Sequence, residues 1–431
     1  MRPVLALALI LGVAWLFSEG RERISWRIVA WGLGLQVLFA LVILRTEAGA
    51  WMFRGVNDAL QALLRFSEAG SQFIFGDLVF NRVPTGIGTA GSNAPIILEP
   101  GVVATTGAYF AFHVLPTIIF VASLMTVLYH LGIMQRIVGA LAWVMRRTMK
   151  TSGAETLVAA GNVFVGLMEA PLLAKPLLNR MTRSELMAVM TAGLATVSGS
   201  VMAAFVGMLS GYFPDIGGHL VAASVMSAPA ALVLSKIMVP EETALLSSDP
   251  APIRVEREDV NVIEAAARGA SEGLWLALNV AAMLIAFLAL LAMANAITGW
   301  AGSLAGVEEL TLEGMLGWVL APVMWLVGIP WQDALWVGEL VGIKTILNEF
   351  VAFLRLESLL EGGQAVPERT VIVTTYALAG FANFGSVAMT IAGIGGVAPD
   401  ARRTLAELGL KSLAAGAMAA LMTAALAALL I

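Results

Sequence analysis

Residues 161–173 read Gly-Asn-Val-Phe-Val-Gly-Leu-Met-Glu-Ala-Pro-Leu-Leu. Asn162 and Glu169 stand in an otherwise apolar run, and Gly161, Gly166 and Pro171 interrupt any helix through it. A carboxylate at bilayer depth costs about 2.5–3.5 kcal/mol on insertion scales. A broken helix also frees backbone groups that lipid cannot satisfy, so such a segment must face protein or a water-filled cavity. Polar side chain, broken backbone and membrane depth together mark a transporter binding site. Taken alone the stretch also reads as a cytosolic loop, and the surrounding chain has to decide.

The chain has 431 residues, 59% hydrophobic and 13% charged, with a mean hydropathy of +0.87. Soluble domains carry about 25% charged residues. The apolar runs are long enough for helices rather than barrel strands, so the fold class is an all-α polytopic membrane protein. The net charge of −5 is spread over many loops, and no basic block points to nucleic acid. The absence of cysteine excludes thiol catalysis, Cys-ligated zinc and disulfides. His113, His130 and His219 are too widely spaced to read as a metal cluster.

Working outward toward the N-terminus, spans are expected over 3–17 and 28–44. Arg21, Arg23 and Arg27 between them make that loop cytoplasmic and put the N-terminus outside. Over 51–67, Arg54, Asp58, Gln61 and Arg65 form one polar stripe, with Met52, Val56, Leu60, Leu63 and Leu64 opposite. This is an amphipathic helix, lying on the membrane surface or packed against protein. Residues 68–102 read as a surface segment, and 104–134 as one long span kinked near Pro116.

The opening stretch lies inside 152–178, as two apolar arms around Gly166. Each is too short to cross about 30 Å of hydrocarbon. Basic residues on both flanks (Arg146, Arg147 and Lys150; Arg180 and Arg183) suit a re-entrant hairpin. A span over 186–210 follows, interrupted at 196–200, then one over 217–239 and a polar linker over 240–270. The plan then repeats. A span covers 273–298, and two short arms over 312–354 turn near Gly328-Ile-Pro330, with Asn348-Glu349 closing the second arm. A span over 371–398 is broken at Gly380–Ser386, and a last one covers 406–431. Two halves with matching interrupted segments point to inverted repeats with a site between them.

At these same residues the chain resembles the concentrative nucleoside transporter family. The resemblance rests on Phe110-Ala-Phe-His-Val-Leu-Pro-Thr-Ile-Ile119 with Leu128–Gln135, on Asn162-Val-Phe-Val-Gly with Glu169-Ala-Pro-Leu-Leu, on Gly342-x-Lys344 with Asn348-Glu-Phe-Val-Ala352, and on Gly380-Phe-Ala-Asn-Phe-x-Ser386 with Gly393–Pro399. It implies about eight transmembrane helices plus two re-entrant helical hairpins in inverted repeats. It also implies interfacial helices, a homotrimer, and a bacterial inner membrane location. A transport part moves across the membrane against a scaffold, in elevator fashion, importing nucleosides with sodium or, in some members, protons. Laid on the boundaries above, residues 1–134 are mainly scaffold, 135–240 the first repeat with its hairpin and broken span, 241–270 a cytoplasmic linker, 271–311 a scaffold span, and 312–431 the second repeat.

By the same resemblance, Glu349, Asn383 and Ser386 bond the ribose hydroxyls and Phe381 packs on the base, with Glu169 and Val201 around it. The side chains of Asn162 and Thr196 and the carbonyls of Val165 and Val197 hold a sodium ion, the coupling ion, with no organic cofactor. Such oxygen ligands suit a hard cation. One departure bears on substrate choice: the family usually has Gly-Gln-Thr/Ser-Glu where this chain has Gly166-Leu167-Met168-Glu169, so two polar side chains expected against the base edge are apolar. Other readings are a proton-coupled transporter of nucleosides or another ribosyl solute, a passive channel, and an intramembrane enzyme using Glu169 and Glu349 as an acid–base pair.

Overall fold

A computed structural model describes residues 1–81, 108–242, 259–304, 306–307, 310–362 and 366–431, together with the backbone of two short strands. It is helical apart from that strand pair, β1 (Val83–Ile87) and β2 (Ile97–Ala104), which run antiparallel with Val83 opposite Ala104. The strands fall where a surface segment was expected.

Helix α1 (Arg2–Leu16) is 15 residues, about 22 Å long, short of the hydrocarbon thickness. It is followed by α2 (Trp26–Arg45). The amphipathic helix α3 (Glu47–Phe75) is longer than its polar stripe, because Thr46 caps its start and no breaker stops it before Gly76, whose φ is +60°. A π-helical turn at Phe110–Val114 leads into α4 (Leu115–His130), so the expected irregularity sits just before Pro116. Then come α5 (Ile133–Met149), α6 (Gly153–Gly161), a 3-10 segment at Ala170–Arg180, α7 (Arg183–Ala195), α8 (Gly199–Leu209) and α9 (Ile216–Met238).

Most of the linker, residues 243–258, lies outside the described residues. Helix α10 (Val262–Leu304) has 43 residues and begins well before the expected span, because Glu264, Arg268 and Glu272 follow at helical spacing and Arg268 pairs with Glu272 at 2.8 Å. The second half continues with α11 (Leu312–Val327), α12 (Trp331–Ile346), α13 (Glu349–Glu361), α14 (Glu368–Leu378), α15 (Phe384–Val397) and α16 (Arg402–Leu430).

Among the described residues six helical segments are long and apolar enough to cross a bilayer, seven if the bent pair α11–α12 counts as one span, and α1 and α15 are shorter apolar helices. The arms α11 and α12 turn by 119° across Gly328–Pro330, as expected. The second arm does not run through Asn348-Glu349, however. It stops at Ile346, and Asn348 starts a new helix, so α12 and α13 form the hairpin whose tip, Leu347–Asn348, carries the Asn-Glu pair, with α12 as its leading helix. Helices α7, α8, α9, α14 and α16 are buried over most of their length, while α10 shows most of its surface outward.

Candidate functional site

Four interruptions meet in the interior. The first is the turn 162–169 between α6 and the 3-10 segment. The two arms touch closely there: a side chain on Gly161 would meet Leu173 at 2.5 Å. The second is the break 196–198 between α7 and α8. The Gly199 N–H donates to the Phe164 carbonyl at 3.0 Å, tying this break to the hairpin turn. The third is Leu347–Asn348 between α12 and α13, and the fourth is 379–383 between α14 and α15. Gly380 has φ +139°, and a Cβ there would lie 3.0 Å from the Ala195 carbonyl. The breaks of the two interrupted spans therefore cross in direct backbone contact, at a position that only glycine fills without strain.

Interrupted helices bring ends, and ends carry partial charge. Helices α6 and α7 finish with carbonyls at Asn162 and Thr196, which favours a cation. Asn162 is buried, and neither its amide oxygen nor its amide nitrogen has a hydrogen-bond partner among the described residues. An uncompensated buried amide is costly, about 1–3 kcal/mol, so this side chain is held for something else. Thr196 is also buried, and its hydroxyl donates to the Ala192 carbonyl at 2.9 Å, leaving oxygen lone pairs free to ligate. Gly193, one turn before Thr196, leaves the space that Asn162 and Leu167 reach. Val197 is buried, and its N–H donates to Ser224 at 3.2 Å while that hydroxyl reaches back to the Val197 carbonyl at 3.4 Å. Val165 is half-buried in the hairpin turn, its N–H bonded to Gly161.

The second half supplies helix starts. Asn348 caps α13 by accepting the Val351 N–H at 2.9 Å, and Asn383 caps α15 by accepting the Ser386 N–H at 2.7 Å. The other end of the Asn383 amide donates to the Glu349 carboxylate at 2.8 Å. Glu349, Asn383 and Ser386 are thus buried together as one polar cluster, with Phe381 buried in the break beside Asn383. Lys344 donates to the Ala377 carbonyl at 2.9 Å, neutralising the end of α14. Val201 is buried on the first turn of α8.

The residues at the altered turn separate. Leu167 is buried against the α7 backbone at Gly193, turned away from the open side of the hairpin. Met168 is 41% exposed and reaches α15, where its sulfur lies 2.7 Å from the position of a Cβ on Gly393. Glu169 is exposed at the turn, and its carboxylate folds back over Gly166, within 2.1 Å of where a Cβ would stand. Gly166 is what lets that carboxylate sit over its own turn. Gly193 and Ser224 border these residues without having been singled out. Ser224 carried a legible signal, a hydroxyl in the apolar run of α9 one turn from Ser227.

Known proteins share this fold. The chain matches the family descriptions "Na+ dependent nucleoside transporter N-terminus" over residues 5–78, "Nucleoside recognition" over 111–212 and "Na+ dependent nucleoside transporter C-terminus" over 219–428. It is 40% identical to the uncharacterized transporter YutK of Bacillus subtilis, covering 99% of this chain and 98% of that protein. It is 38% identical to solute carrier family 28 member 3 of Eptatretus stoutii and to sodium/nucleoside cotransporter 1 of Oryctolagus cuniculus. Those matches cover 99% and 96% of this chain, and the chain spans about 60% of the length of these animal relatives. Among solved structures, CNTnw in an inward-facing substrate-bound state is 35% identical, with a TM-score of 0.86, covering 100% of this chain and 97% of that one. A variant of CNTnw in an outward-facing state aligns with the same TM-score of 0.86 at 36% identity, over 100% of this chain and 97% of that one.

Proposed function

This chain belongs to the sodium-dependent nucleoside transporter family, and from that premise we propose that it imports nucleosides across a bacterial inner membrane by symport with sodium. The observation that carries the coupling is Asn162, a buried amide with both ends unpartnered among the described residues, placed where α6 and α7 end in carbonyls. A sodium ion there would take the Asn162 and Thr196 oxygens and the Val165 and Val197 carbonyls. It would repay the buried amide and bridge the hairpin to the first broken span.

The nucleoside would lie against the second half. Glu349 accepts from the ribose hydroxyls in charge-assisted bonds, about twice as strong as neutral ones. Asn383 already holds that carboxylate in place, and Ser386 completes the ribose grip. Phe381 offers an apolar face to the base, with Val201 and Glu169 around it. At the altered turn Met168 takes the place of a polar contact to the base edge, while Leu167 walls the ion site from beneath. Methionine packs well on aromatic faces and cannot satisfy base carbonyls or ring N–H groups, so specificity resides chiefly in the ribose.

Transport would carry the hairpins and broken spans together past a scaffold of the N-terminal helices and α10, in elevator fashion within a homotrimer, with the N-terminus outside. Uptake into sealed proteoliposomes tests the reading. Labelled nucleoside should accumulate unchanged under a sodium gradient and not under a pH gradient alone. Equilibration without accumulation would indicate a channel, chemical change an enzyme, and accumulation driven by pH alone a proton-coupled carrier.

A further inference from the structure

At the base of the first hairpin lies an ion cluster that the transport chemistry does not use. Glu155 is fully buried, and one of its oxygens accepts the Ser152 N–H at 2.8 Å, closing a capping box at the start of α6. Its other oxygen lies 2.7 Å from the ammonium of Lys236, which is 3% exposed near the end of α9. Lys236 also donates to the Ser184 hydroxyl at 3.0 Å, in the first turn of α7, and reaches Glu241 at 3.3 Å. One ammonium therefore joins the start of the hairpin, the start of the broken span and the end of α9.

The second half makes the same tie by other means. Glu155 is the third residue of α6, and Asp333 is the third residue of α12. Asp333 accepts the Thr370 hydroxyl at 2.9 Å, in the first turn of α14. In each half, then, an acid in the first turn of the hairpin's leading helix is fastened to the first turn of the broken span that follows. The fastening runs through a lysine in one half and directly in the other.

A buried ion pair need not stabilise a protein more than apolar groups of the same volume would. What it does fix is geometry. Glu155 lies seven residues, two helical turns, before Asn162, so both lie on one face of a rod about 10 Å long between them. All nine residues of α6 are buried or nearly so, and the rod cannot bend independently. A shift at its base moves the Asn162 amide, and ligand distances tolerate only about 0.2 Å. We infer that Lys236 and Glu155 are positioning residues that set the depth of the first hairpin and thereby the sodium affinity.

This inference rests on the sodium coupling proposed above, and its test separates the two. In proteoliposomes, the paired variant Glu155→Gln/Lys236→Met removes both charges while keeping shape. It should raise the half-saturating sodium concentration about tenfold, as loss of an outer-shell partner does for bound metals, with nucleoside affinity at saturating sodium changed less than about twofold. Lys236→Arg, which keeps the charge, should restore most of the sodium affinity. Thr370→Val, which cuts the equivalent tie in the second half, should leave it within about twofold of wild type. The cysteine-free chain allows a readout without transport: maleimide labelling of Leu172→Cys, 43% exposed on the returning arm, should change in rate when the paired variant is added. Wild-type uptake that ignores sodium would refute the coupling, and the labelling rate would then decide the inference. Sodium dependence that is normal in wild type and unmoved in the paired variant, with unchanged labelling, would overturn the inference. Failure of both the paired variant and Lys236→Arg to reach the membrane would also overturn it, making the cluster a folding determinant.

Discussion

The two hairpin tips carry an asparagine and a glutamate each, and they treat them oppositely. At the second tip Asn348 caps a helix, and Glu349 is held by Asn383, itself a cap. Every one of these groups has its partner already. At the first tip Asn162 has no partner at either end of its amide among the described residues, and Glu169 folds over a glycine at an exposed turn. On the function proposed above, the satisfied tip would be a preorganised grip, able to receive hydroxyls without rearrangement. On the same proposal, an ion would complete the unsatisfied tip, and its binding free energy would order the hairpin. Pseudo-symmetry thus supplies two copies of one frame, and polar satisfaction gives them different work.

The sharpest way to break this contrast is at the satisfied tip. Glu349→Gln keeps shape and can still accept from the Asn383 amide through its oxygen, but it loses the charge and turns the other acceptor, the one left for the ribose hydroxyls, into a donor. Transport of ribonucleosides should fall about a hundredfold, the loss of a charge-assisted bond together with a mispaired buried group. Binding of 2′,3′-dideoxynucleosides should change far less, and competition binding with both classes checks it. If dideoxynucleosides bind the wild type as well as ribonucleosides do, the ribose assignment is wrong.

At the unsatisfied tip the outcome should differ in kind. Asn162→Ala removes an amide that bonds to nothing among the described residues, so stability should hold or rise slightly. The half-saturating sodium concentration should rise about tenfold, the loss of one ligand's worth of interaction, with nucleoside affinity at saturating sodium nearly unchanged. Thermal melts with and without sodium measure both: the sodium-induced increase in Tm should shrink.

A smaller effect is expected from base choice. Leu167→Gln with Met168→Thr should favour uridine over adenosine by about tenfold relative to wild type, since an unpaired buried polar group costs about 1–3 kcal/mol. Most of the change should come from Met168→Thr, because Leu167 is buried against Gly193. Competition of the two nucleosides against one labelled substrate measures it, and a wild type already selective for uridine would sink the idea.

The smallest effect lies where the halves are stapled rather than where they bind. Arg183 on α7 and Lys411 on α16 both reach Glu19, and Arg183 also meets Glu407 on α16 at 2.8 Å. The Arg183 guanidinium, with Lys411, holds the Glu19 carboxyl below its usual range. A depressed carboxylate stabilises the fold above its unfolded pKa, about 4.3, and that contribution is lost as pH falls through the lower folded value. Glu19→Gln should therefore lower Tm by a few degrees at most at pH 6, with the gap closing below about pH 4.

Much of the frame was legible because glycine and single polar residues in apolar runs cannot be hidden in lipid. Gly161, Gly166, Thr196–Ser200 and Gly380–Ser386 marked three of the four interruptions. The fourth was missed because Leu347-Asn348 contains neither glycine nor proline, and its only signal is an asparagine placed to cap a helix. The inward turn of Leu167 had no signal, since a turn has no periodicity to assign a face. Lys236 and Glu155 carried no signal in the sequence that would pair them. Only the fold brings them together, from positions 81 residues apart in sequence.

Helix α10 carries one more consequence. Its 43 residues span about 65 Å, and its first three turns carry the charges of Glu264, Arg268 and Glu272. The remaining apolar stretch is still about 45 Å long, against a hydrocarbon core of about 30 Å. Such a mismatch is relieved by tilt, by local thickening of the bilayer, or by both. Gly269 and Gly273 let α10 lie directly on α4, at Ser123 and Ile119, so the two must tilt as a pair. A change in lipid tail length would then load both helices together rather than α10 alone.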